Sequence, residues 1–347
     1  MLTRRRLLAL GLGGACGAAA AGAIGVDLVS RGILPGRAVL DELTGGCSVP
    51  QPQLAYAPLG PSFSGTFYSA ARNRTVGYTI AYPPRHSRGD ELPLVIMLHG
   101  YGEDHASALA SMSPAQAIAL KIGGERLEPM SLVTVDGGDG YWNPHPGDNP
   151  MAMVIDELIP LCQRLGLGRP PQQIGTMGIS MGGYGALLLA EKHPRVFAAV
   201  AAISPAIWTS YAQARSANAG AYSSAAAFAA DDAATHAAAL AHLYVRIAAG
   251  YDDPFYPGVQ ALARALPPGA LVSFSKGCHT GQFFAEQQPP SLAFLPSTSM
   301  MNWLDEFLRP PCRPAAHVGV VVVKAITTDT RRGHSRPVAG VVIQPSS

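Results

Sequence analysis

Gly178-Ile179-Ser180-Met181-Gly182 is the stretch on which the reading of this chain turns. A short apolar run, 174–178, comes before it. A helix-forming run, Gly182–Lys192, comes after it, with Gly183 and Gly185 near its start. A strand that passes into a helix over so few residues makes a sharp, strained turn, where side chains beside the central residue would clash. Glycine at 178 and 182 removes those side chains. Ser180 is then held at the tip of the turn with its hydroxyl exposed.

Working outward, the flanking sequence reads as alternating strands and helices. Leu94–Leu98 is continuously apolar and fits a strand buried on both faces. Ser131–Val135 is another such run, ended by Asp136-Gly137-Gly138. Thr75–Tyr82 alternates and is closed by Pro83-Pro84. Phe197–Ile203, Leu243–Ala249 and Leu271–Phe274 complete the strands. Met151–Leu165 carries Met151, Val154, Ile155, Leu158 and Leu161 on one helical stripe. Tyr256–Ala265 and Met300–Leu308 are further helices. The alternation predicts an α/β fold with a mostly parallel central sheet flanked by helices, and ligands at the carboxyl ends of its strands. The Ala-rich segment Ser210–His242 reads as cover helices over that sheet.

A serine hydroxyl is a poor nucleophile at neutral pH and needs a base. The chain order that suits this turn is serine, acid, histidine. After Ser180, the carboxylates on a strand-end loop are Asp252 and Asp253, in Gly250-Tyr251-Asp252-Asp253-Pro254-Phe255. His279 follows the next strand, in Gly277-Cys278-His279-Thr280-Gly281. His279 would accept the Ser180 proton, and the aspartate would fix its tautomer. His193 and His236 read as helix-surface residues, and His242 sits before a strand. Backbone N–H groups must also face the developing oxyanion. Met181 supplies one. The loop His99-Gly100-Tyr101-Gly102 supplies the other, from Tyr101 or, as second choice, Gly102. His99 is expected to brace that loop. Gly100, Gly102, Trp142 and Trp208 are expected at the substrate site, with core packing an equal reading for Trp208.

Taken together in this order, Leu98–Gly102, Gly178–Ala186, Gly250–Phe255 and Gly277–His279 resemble the putative-esterase family of α/β hydrolases. S-formylglutathione hydrolases, feruloyl esterases and secreted mycolyltransferases belong to that family. The resemblance implies the α/β-hydrolase fold and ester cleavage through an acyl-enzyme on Ser180. It selects Asp253 over Asp252, because the family acid stands three after the glycine of a G-x-x-D step. It also places Asp136-Gly137-Gly138 and Tyr141-Trp142-Asn143 beside the acyl pocket. Acyl transfer of the mycolyltransferase type, or a non-catalytic carbohydrate- or lipid-binding module, are the alternatives on the same fold. The tail after Leu308 has no counterpart in the resemblance.

The whole chain sets outer limits. With 347 residues, 48% of them hydrophobic, it can bury a large core. A net charge of +2 with scattered Lys and Arg argues against a nucleic-acid surface. Thr3-Arg4-Arg5-Arg6-Leu7-Leu8 followed by the apolar run Ala9–Val26 reads as a twin-arginine-type export signal over 1–30. A retained run would instead anchor the chain at the membrane or cell envelope. Cys16 is a poor lipidation site, since Gly13 stands where leucine is usual. Residues 31–62 read as a lead-in, 63–308 as the catalytic domain and 309–347 as a tail of unassigned role. Five cysteines are present, and loss of Cys16 with the signal leaves four. Three pairings are then open. No cofactor and no metal is implied, since His145 and Asp148 alone make a weak ligand set. The expected partner is a small-molecule, lipid or sugar ester. The sequence assigns no oligomeric state.

Overall fold

The computed structural model describes Cys47, Val49 and residues 59–111, 121–122, 125–171 and 173–295. The expected export signal, the helix at 300–308 and the tail lie outside these residues. Among them, eight strands form one sheet in the order β1-β2-β6-β3-β7-β8-β9-β10. These are β1 (Ser62–Ser69), β2 (Arg74–Ala81), β3 (Leu94–Leu98), β6 (Ser131–Val135), β7 (Ile174–Ile179), β8 (Ala199–Ile203), β9 (Tyr244–Gly250) and β10 (Leu271–Ser275). Lys121–Ile122 and Glu125–Arg126 (β4 and β5) form a separate two-stranded pair. β2 is antiparallel to both β1 and β6, and every other pairing in the large sheet is parallel.

The central strands β3, β6, β7 and β8 are buried along their whole length. Runs such as Leu-Val-Ile-Met-Leu form strands here because helices cover both faces, which leaves no solvent side to favour alternation. One core cluster lies on each face. The first includes Ile96, Leu98, Trp142, Tyr184 and Leu187. The second includes Val95, Met97, Met177, Phe283 and Leu292.

Helices α1 (His105–Ser111), α2 and α3 (Met181–Lys192) follow in chain order. α2 runs through Pro150–Ala152, a π-helical stretch Met153–Leu158 and Ile159–Arg164. The expected cover segment forms α4 (Tyr211–Ala217), α5 (Ala225–Ala230), α6 (Ala233–His236) and a 3₁₀ turn, Ala237–His242. Side chains of Ser210, Ser224 and Asp232 accept N–H bonds at the starts of α4, α5 and α6. Such caps start helices that alanine then propagates. This cover is tied to its neighbours by Tyr184 Oη, which donates to the Asp231 carbonyl at 2.8 Å, and by Asn143 Nδ2, which donates to the Ala221 carbonyl at 2.8 Å. α7 (Tyr256–Ala265) and α8 (Gly281–Phe294) complete the described helices.

Two findings depart from the sequence reading. α8 was not expected, and it carries Pro289 and Pro290 in its interior. Its buried face mixes apolar Phe283 and Leu292 with polar Gln287 and Ser291, which accept bonds from the guanidinium of buried Arg246 on β9, at 3.0 and 2.7 Å. Cys47 and Val49, placed in the lead-in, are buried on the domain. Cys47 forms a disulfide with Cys278 across 231 positions of sequence. Cys162 is a buried free thiol, and burial pushes its pKa up to about 12.

Candidate active site

The turn around Ser180 joins β7 to α3, and its backbone is strained as the glycine pattern requires. Ser180 has φ +56°, in a region that L residues rarely occupy. A Cβ on Gly178 would lie 2.1 Å from the Gly182 carbonyl oxygen. One on Gly182 would lie 2.0 Å from the Leu98 carbonyl oxygen. Both obstacles are backbone, so neither can swing aside. The turn is locked from behind as well. Ser180 N–H donates to the Ile203 carbonyl at 3.0 Å, and its own carbonyl accepts from Ala206 at 2.9 Å.

His279 and Asp253 converge on this serine from two other strand ends. Asp253 stands on the loop after β9, and His279 on the loop between β10 and α8. His279 Nε2 is 2.8 Å from Ser180 Oγ, and its Nδ1 is 2.9 Å from Asp253 Oδ2. Asp253 is only 3% exposed. Its second oxygen, Oδ1, accepts the Phe255 N–H at 2.8 Å. A carboxylate accepts only, so Nδ1 carries the proton and Nε2 is free to accept the serine hydroxyl. Neighbouring Asp252 is not the residue that meets His279. Phe255 and Phe284 pack edge-on against the imidazole, with ring centres 5.1 and 5.0 Å away.

The loop after β3 lies opposite. His99 is fully buried, and burial lowers its pKa, so the ring is neutral. Its Nδ1–H donates to the Gly100 carbonyl at 2.8 Å, and its Nε2 accepts the Gly137 N–H at 2.9 Å. The ring thus spans the two loops, in the bracing position expected for it. Gly100 N–H donates to Glu103 Oε2 at 2.9 Å, and Gly102 N–H donates to Asp139 Oδ1 at 2.7 Å. Gly102, the second-choice oxyanion donor, is therefore occupied by a carboxylate. The N–H between them, on Tyr101, has no partner among the described residues. Met181 N–H opens α3, where the first amides have no intrahelical acceptor.

Trp142 requires a correction. It is 0% exposed and cannot line a substrate site. Its ring fills a slot that two glycines leave open, since a Cβ on Gly137 or Gly185 would fall 2.2 or 2.6 Å from it. Its Nε1 donates to the His99 carbonyl at 3.2 Å, so it supports the oxyanion loop from below. Trp208 is half-buried and packs edge-on against Phe255 at 4.7 Å. That ring in turn packs against His279. Tyr101 is 61% exposed.

No metal-holding cluster occurs among the described residues. Asp148 is instead held by Arg72, at 2.6 and 2.9 Å, and by Arg74 at 3.1 Å. His145 is within 3.0 Å of the Gly140 carbonyl. Sequence reading missed Phe255 and Phe284 as walls of the base, and Glu103 and Asp139 as acceptors for the loop. Phe255 closes the Gly250–Phe255 stretch, but nothing in that stretch says its ring meets the base, and the other three sit in no quoted motif.

A family model described as putative esterase matches residues 69–266. Among solved structures, a ferulic acid esterase superposes with a TM-score of 0.57 at 18% identity, over 68% of this chain and 98% of that one. An S-formylglutathione hydrolase from Agrobacterium tumefaciens gives 0.53 at 17%, over 74% and 99%. Mycobacterium tuberculosis MPT51 gives 0.52 at 15%, over 72% and 100%. No curated protein matches the chain.

Proposed function

Because this chain belongs to the putative-esterase family, we propose that it is an exported serine carboxylesterase acting through an acyl-enzyme on Ser180. The observation that carries the reading is the unbroken relay Ser180–His279–Asp253, with contacts of 2.8 and 2.9 Å. In the first half-reaction Ser180 Oγ attacks the ester carbonyl while Nε2 of His279 takes its proton. The Asp253 carboxylate stabilises the imidazolium and stays ionised. The carbonyl oxygen becomes an oxyanion, facing the Tyr101 and Met181 N–H groups. The C–O bond to the alcohol then breaks, and His279 returns the proton to the departing oxygen. In the second half-reaction water adds with His279 as base, the acyl–Oγ bond breaks to release the acid, and His279 returns the proton to Ser180 Oγ.

Buried His99 and Trp142 let the oxyanion loop be preformed, so that little reorganisation falls on the reaction itself. Export rests on Thr3–Leu8 and the apolar run that follows. The substrate class is a carboxylic ester of a small molecule, lipid or sugar. Hydrolysis of p-nitrophenyl esters of increasing acyl length tests the activity, with wild type and Ser180→Ala side by side. Turnover that vanishes in the variant is expected. Equal turnover in both would reject Ser180 as nucleophile.

A further inference from the structure

The loop that carries the base is held unevenly. It spans the five residues between β10 and α8. At its start, the bare backbone of Gly277 presses on the end of β9, where a Cβ on Gly250 would fall 2.1 Å from the Gly277 carbonyl oxygen. That carbonyl accepts the Asp252 N–H at 3.0 Å. At its end, Thr280 N–H donates to the Cys278 carbonyl at 2.9 Å, and the Thr280 side chain caps α8. The backbone of His279 itself makes none of these bonds among the described residues. What fixes it from the N-terminal side is Cys278, 1% exposed and covalently joined to Cys47. The anchor at the far end is firm, because Val49, two residues on, is buried in the same core cluster as Phe283 and Leu292 of α8.

We propose that the Cys47–Cys278 disulfide is a positioning element for the catalytic base. It clamps the residue before His279 to the α8 face of the domain and so holds the imidazole in reach of both Ser180 and Asp253. The inference rests on the serine-hydrolase reading above. It also makes turnover depend on redox state. A dithiol reductant would convert the S–S bond to two thiols, with two electrons and two protons passing to Cys47 and Cys278 as the reductant becomes a disulfide. An oxidising compartment favours the closed, positioned form. Misplacing a catalytic group by about 1 Å costs on the order of 100-fold in rate.

The test is Cys47→Ser in the full chain, which opens the bridge without touching the base loop. Ester hydrolysis, fluorophosphonate inactivation rate and far-ultraviolet circular dichroism are followed together. The expected result is a native spectrum, KM within about twofold, and kcat and inactivation rate both lower by about 10- to 100-fold. Wild type purified in dithiothreitol should match the variant and recover on reoxidation. The variant should ignore the reductant. Unchanged kcat in Cys47→Ser would overturn the proposal. So would joint loss of fold and activity in both the variant and reduced wild type, which would make the bridge a folding staple. A wild type inert to esters and to fluorophosphonate would instead sink the serine-hydrolase reading itself.

Discussion

The turn that presents Ser180 and the loop that presents His279 solve the same problem by opposite means. The serine turn is marked within five residues, although one of the oxygens that requires its glycines belongs to Leu98 on β3. Gly178 and Gly182 are there because backbone oxygens stand about where their Cβ atoms would be. The histidine loop draws its support from afar: Cys47 across 231 positions, Phe255 from the β9 loop and Phe284 from α8. A nucleophile held by local strain can be found from local sequence, while a base held by long-range contacts is found only by its place in the order of strands.

The same contrast decides what the sequence could reveal. β3 and β6 matched their apolar runs end to end, because burial on both faces writes a continuous pattern. α8 stayed hidden. Its Pro289-Pro290 pair reads as a breaker, and its buried face interrupts apolar Phe283 and Leu292 with Gln287 and Ser291, whose partner Arg246 is on another element. Trp142 was read as a substrate wall because it neighbours the acyl loop. It is buried because Gly137 and Gly185 vacate a slot for its ring, and Gly185 is more than forty residues away. The Cys47–Cys278 pairing was one of three that the sequence left open.

Substitutions at the two regions sharpen the contrast, and the largest effect falls on the relay. Asp253→Asn should lower kcat by about 10⁴-fold with the fold intact, since the amide favours the wrong imidazole tautomer. Asp252→Asn should stay within about tenfold of wild type. Steady-state kinetics on one ester decides it, and the reverse ranking would move the acid to Asp252. Next comes the turn itself. Gly182→Ala should cost about 3 kcal/mol or more in stability, because a Cβ there meets the Leu98 carbonyl rather than a side chain. A denaturant melt indistinguishable from wild type would show that the turn is not so tightly bound.

The smallest effect belongs to a residue farther along the helix that the serine turn starts. Both carboxylate oxygens of Glu191 on α3 are buried without a hydrogen-bond partner among the described residues. Burial first, then the nearby Asp232 charge, raises its pKa to about 9. The unfolded chain ionises this group above its ordinary value near 4.5, while the folded chain holds the proton. Stability from this site is therefore full below about pH 4.5 and is lost as pH rises toward 9. Glu191→Gln removes the ionisation and should stabilise the protein by about 1–3 kcal/mol at neutral pH and above. Thermal melts between pH 5 and about 9 should be flatter in the variant. A variant that loses stability equally at every pH would contradict this.

The most direct test of the account is where a fluorophosphonate reacts, read by intact mass and peptide mapping on wild type, Ser180→Ala and His279→Ala. One adduct on Ser180 in wild type, none in Ser180→Ala and sharply slowed labelling in His279→Ala are predicted. An adduct on another residue, or labelling that persists undiminished without His279, would contradict a nucleophile at Ser180 activated by that base.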